Sequence, residues 1–91
     1  MNTSCPITPS EMLKKEIEKR KLSQRALAQK LGGTWTPPKV NDIISGKRGI
    51  SESSALDLEA ALEIPAERWL KCQMERRLWE ERERRLGLKS N

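Results

Sequence analysis

Four hydroxyl residues set the frame for this chain. Thr8, Ser23, Thr36 and Ser51 recur 13 to 15 residues apart, and each stands directly before a run with helical spacing of apolar side chains. A Ser or Thr in that place accepts a hydrogen bond from an amide of the first helical turn, which otherwise has no partner. Four such starts leave room for short helices joined by tight connections. No stretch alternates apolar and polar residues as a strand would.

Each start is reinforced locally. "TPSE" supplies Thr8 as cap, Pro9 at the first helical position and Glu11 at the third, a capping box. Met12, Leu13 and Ile17 then form an apolar stripe, and the helix ends near Lys21. The second helix follows Ser23, with Leu22 and Leu27 placed for a hydrophobic staple and Ala26, Leu27 and Leu31 facing inward. Gly32 and Gly33 stop it, because glycine tolerates the left-handed conformation at a helix end. The third helix starts at Thr36 with Pro37 and Pro38 in its first turn, where backbone donors have no intrahelical partners. Its buried side is Val40, Ile43 and Ile44, and Gly46 ends it.

The fourth helix runs from Ser51 to about Glu63 and buries Ala55, Leu58, Ala61 and Leu62. Pro65 opens a fifth, to Gly87, rich in Arg and Glu. There Leu70, Met74 and Leu78 recur four apart, and Cys72, Trp79 and Leu86 seven apart. A core this small cannot bury both faces, so the length calls for a partner helix or a solvated tail. Pairs such as Glu81–Arg85 support the helix on its own. The sequence thus predicts an all-α, five-helix domain over residues 8–86 with an extended C-terminal helix. A flexible arm is expected at 1–7 and a flexible tail at 87–91.

Composition narrows the function. The 91 residues carry a net charge of +5, which favours an anionic partner. Residues 11–30 hold seven Lys/Arg against three acids, residues 31–64 three against five, and residues 65–91 eight against five. There is no His, and Cys5 and Cys72 lack metal-ligand spacing, so both are read as reduced thiols. Neither metal nor cofactor is expected. No phosphate-binding loop or catalytic constellation is present, which argues against an enzyme. No apolar run reaches the ~20 residues of a membrane span, and no signal peptide is seen. A cytoplasmic location is expected.

Two helices joined by a short Gly-containing connection, about residues 23–45, suggest a helix-turn-helix. In that motif the first helix crosses the phosphate backbone and the second presents its exposed residues to base edges. Here those are Thr36, Lys39, Asn41 and Asp42. "LSQRALAQKLG" followed by "VNDIISGKR" resembles the Xre/lambda-repressor-like helix-turn-helix family. "TPSEMLKKEI" and "SESSALDLEAALEIPAERWLKCQ" resemble the opening and continuation of its HigA/VapI-type antitoxin branch, so the likeness covers residues 8–79.

The resemblance implies a dimer that binds an operator in double-stranded DNA, represses its own operon and pairs with a RelE/HigB-like toxin that cuts mRNA. It places Ser23, Gln24 and Arg25 at a phosphate, Lys39, Asn41 and Asp42 at base edges, and Lys47 and Arg48 at phosphate after the reading helix. Thr34, Trp35 and Thr36 fall in the connecting turn and join the expected DNA-binding set. Trp69, Leu70, Gln73, Met74, Leu78 and Trp79 form the expected dimer or partner contact. Two departures stand out. "GTWTPP" is about two residues longer than the family pattern, and Trp35 there either caps the core or faces DNA. Asp42 either pairs with a nearby Lys or Arg, accepts from a cytosine amino group, or is simply solvated. A stand-alone repressor without a toxin, and an interaction module that has lost DNA reading, remain open alternatives.

Overall fold

The computed structural model describes residues 6–90, with side chains through 87. Five α-helices follow one another: α1 (Pro9–Lys19), α2 (Gln24–Leu31), α3 (Pro37–Ile44), α4 (Glu52–Leu62) and α5 (Ala66–Ser90). Among the described residues there is no strand.

All four hydroxyl caps form. The Glu11 amide donates to Thr8 Oγ1 at 3.0 Å, and the Thr8 amide donates back to Glu11 Oε1 at 2.9 Å. That backbone bond, chiefly, lowers the Glu11 pKa. Ser23, Thr36 and Ser51 accept from the amides of Ala26, Lys39 and Ser54. The fifth helix is capped from outside, by a Glu59 carboxylate oxygen 2.7 Å from the Ala66 amide. Gly32 (φ +69°) and Gly33 (φ +58°) make the left-handed exit from α2.

The core draws on every helix. Leu13, Leu27, Val40, Ile43, Leu58 and Leu62 are fully buried around Trp69. On α2, Leu27 is buried and Leu31 packs against the core as expected, but Ala28 is buried and Ala26 only half-buried, so the inward face is shifted slightly toward Ala28. Polar ties fasten the helices to each other. Ser10 Oγ donates to the Ile43 carbonyl at 2.6 Å, holding the end of α3 to α1. Arg20 Nη2 donates to the Leu62 carbonyl at 2.7 Å, holding α1 to the end of α4.

The ends differ from expectation. Pro6 and Ile7, expected in a free arm, are tied to α5: their carbonyls accept from Arg76 Nη1 and from the Cys72 thiol, each at 3.0 Å. Burial raises the Cys72 pKa. Residues 87–90, expected as tail, continue the helix. Residues 1–5 and 91 lie outside the described residues. Only the first turns of α5 meet the core, so the molecule measures 48 × 24 × 23 Å.

Candidate nucleic-acid interface

The turn between α2 and α3 is held by Trp35. Its ring is 7% exposed, and its indole N–H donates to Asp57 Oδ2 on α4 at 2.8 Å. Lys39 is half-buried, with Nζ 4.2 Å from the centre of the Trp35 ring. Trp35 therefore belongs to the core and not to the DNA-contacting set. The extra length of "GTWTPP" carries a buried ring that ties the turn between α2 and α3 to α4, and the two prolines open α3 without breaking it.

That placement leaves a continuous outer face. Ser23 and Arg25 are exposed at the start of α2, and Gln24 is half-buried. Gln24 Nε2 donates to Asn41 Oδ1 at 3.3 Å, joining the two motif helices at their outer side. Thr34, Thr36 and Asn41 are exposed. The hydroxyls of Ser23 and Thr36 already serve as caps. Lys47 and Arg48 are exposed just past α3, and both their amides donate to the Asp42 carbonyl, at 2.9 and 3.1 Å. Their backbone is fixed while their side chains are free to reach an anion. The Asp42 carboxylate is half-buried and takes part in none of the ion pairs among the described residues, so the pairing considered for it does not form.

The expected partner-contact set divides. Trp69 is fully buried within its own chain and is core. Gln73 is also spent internally: its Oε1 accepts from the Ile50 amide at 2.7 Å and its Nε2 donates to the Ile50 carbonyl at 2.8 Å. A side-chain amide that satisfies both backbone groups of one residue is a splice between α5 and the loop after α3. Leu70 is half-buried against the core, and Trp79 is half-buried with Arg76 5.3 Å from its ring centre. Met74 (53% exposed) and Leu78 (43%) remain open to a partner. Arg77, one turn beyond Gln73 on the same face, went unread in the sequence. Its i+4 spacing from Gln73 was the available signal.

Among the described residues no cluster suits a metal ion, and no helix is long and apolar enough to cross a membrane.

This geometry is that of a helix-turn-helix, and the chain belongs to the helix-turn-helix family HTH_3, whose model matches residues 13–69. It is an Xre-like family of DNA-binding regulators and not of enzymes. The solved structures it resembles include antitoxins. HigA of Pseudomonas aeruginosa, determined with the higBA promoter, is 35% identical, with a TM-score of 0.72 over 80% of this chain and 78% of that one. The antitoxin GraA is 34% identical, with a TM-score of 0.79 over 92% and 88%. An antidote protein of a plasmid maintenance system from Nostoc punctiforme reaches a TM-score of 0.86 over 96% and 93% at 23% identity, a likeness of fold alone. No curated protein sequence matches the chain.

Proposed function

We propose that this chain is a DNA-binding antitoxin that works in the cytoplasm as a homodimer. It represses its own operon and neutralises a RelE-like mRNA-cleaving toxin. The observation that carries the reading is the outer face of α2 and α3. Gln24 is bonded to the exposed Asn41, and the free cations of Lys47 and Arg48 follow directly after. The start of α2, with Ser23, Gln24 and Arg25, holds one phosphate through amides and the Gln24 side chain. Asn41 reads an adenine edge, and Asp42 accepts from a cytosine amino group. Lys47 and Arg48 grip the next phosphates. The likeness to an antitoxin solved with its promoter supports this assignment. Met74, Leu78 and Trp79 offer the partner surface, away from α3 in sequence.

The test is a fluorescence titration with the duplex upstream of the chain's own gene. A scrambled duplex runs beside it, each at two salt concentrations. Tight binding to the upstream duplex alone is the expected result. Weak, equal and salt-sensitive binding to both would move the protein-interaction reading to first place. Co-purification with the product of the neighbouring gene tests the toxin.

A further inference from the structure

A second basic feature lies beside the reading helix. A cleft of about 280 Å³ opens between the start of α1, the loop after α3 and the outer side of α5. Arg48, Arg76 and Arg77 line it, against a single acid, Glu80. Arg76 is already engaged, donating to Glu80 Oε2 at 2.9 Å and to the Pro6 carbonyl at 3.0 Å. Arg48 and Arg77 have neither an ion pair nor a side-chain hydrogen bond among the described residues. Two arginines with no side-chain partner among the described residues thus line one cleft, an arrangement suited to the oxygens of a phosphate.

The backbone is shaped to admit the second one. A Cβ on Gly49 would lie 2.7 Å from Arg77 Nη2 and 3.0 Å from Gln73 Oε1. Glycine there lets the Arg77 guanidinium lie against the loop. The Gln73–Ile50 splice fixes α5 to that same loop one turn before Arg77. Arg77 is therefore delivered to the exit of the reading helix by an element outside the motif. The first turn of α1 adds the positive end of its dipole to the same cleft, partly offset by Glu11.

We propose that this cleft is a phosphate site in which Arg77 of α5 joins Arg48 on the DNA backbone, extending the interface beyond the helix-turn-helix. The proposal rests on the DNA-binding reading above. It makes α5 a direct DNA contact as well as the carrier of the partner surface.

The experiment compares wild type with Arg77→Gln, Arg77→Lys and, as a distal control on α5, Arg82→Gln. Each is titrated with the upstream and scrambled duplexes over a range of salt, and each is checked for an unchanged thermal transition. Arg77→Gln should weaken both duplexes by a common factor and lower the slope of log K against log salt by ~1. Arg77→Lys should keep the slope, and Arg82→Gln should match wild type. A structural role would change the transition and leave the slope alone. If wild type binds DNA and Arg77→Gln keeps its slope, or if Arg82→Gln lowers the slope equally, the inference is overturned while the DNA-binding reading stands. Failure of wild type to bind any duplex overturns both. Inorganic phosphate is also titrated into wild type and Arg77→Gln by calorimetry. Saturable binding by wild type alone, without a slope change on DNA, would assign the cleft to a free anion and overturn the DNA contact.

Discussion

Trp35 and Asn41 divide the work of the motif between support and reading. Trp35 is buried and bonded to Asp57, while Asn41 is exposed and its side chain accepts from Gln24. Trp35→Ala should therefore destabilise the fold by about 3–5 kcal/mol, the usual range for emptying a buried aromatic site, measured by denaturant unfolding. Asn41→Ala should leave stability within about 0.5 kcal/mol. It should weaken operator binding by about 1–3 kcal/mol and leave scrambled DNA nearly untouched. Equal losses on both duplexes would take Asn41 off the base-reading list. Of the outer face expected for α3, Thr36 and Asn41 are exposed while Lys39 and Asp42 are half-buried, because helical periodicity fixes which residues share a side but not how far their neighbours cover them. The place of Trp35 was not legible from spacing. Its fate depends on Asp57, which lies 22 residues further on and meets it only after α4 has packed. Trp69 and Gln73 escaped for the same reason. Their partners are set by how α5 closes on the loop after α3, which no local pattern encodes.

The starts of the first four helices were the most legible elements, since each cap bonds within three residues and needs no tertiary fold, whereas α5 takes its cap from Glu59 on α4. Exits from helices carry the same local logic. Gly32 and Gly33 have positive φ and nothing within 4 Å of an added Cβ. A Gly32→Ala substitution, at a φ of 69° and ψ of −164° that essentially only glycine adopts, should thus cost about 1–3 kcal/mol through backbone strain alone, without crowding. A stability equal to wild type would mean that the turn relaxes at no cost. The far end of α5 was harder to read, because charged residues can carry a helix past the core. Glu81 accepts from Arg84 and Arg85, and these bonds, Arg84's first, lower its pKa to about 2. A carboxylate depressed in this way supports the helix fully above its ordinary value of 4.5 and loses that support as the pH falls through about 2. Helicity of the C-terminal turns should fall across that window by circular dichroism. Glu81→Gln should start lower and vary less, and high salt should narrow the difference, since these pairs lie at the surface. A pH profile shared by the two proteins would remove these pairs as the support of the helix.

For the whole molecule, the charge pattern in sequence and the charge pattern in space part company. Residues 31–64 hold more acids than bases, yet only Asp42 of those acids lies on the reading helix. Asp57 is taken by Trp35, and Glu59 caps α5. Arg77, far along the chain, is meanwhile brought to the loop beside Arg48. Folding thus makes a more basic DNA face than the middle segment suggests. The same geometry leaves most of α5 outside a small core, with Met74 and Leu78 open on it. A domain of this size has a thin stability margin by itself. If two copies meet through these residues, association adds to stability by mass action, and the melting temperature must rise with protein concentration. Wild type should show that rise over a hundred-fold dilution series (about two decades), together with dimer mass by sedimentation. Truncation after Gln73 keeps Trp69, Cys72 and the Ile50 splice, so the core should still melt cooperatively, but as a monomer at a temperature that no longer depends on concentration. Met74→Glu with Leu78→Glu should do the same without shortening the helix, by placing unpaired charge at the contact. A truncated chain that stays dimeric would move the interface to residues before Met74. A wild type whose melting ignores concentration and which sediments as a monomer would end the homodimer reading and leave the two apolar residues for a different partner.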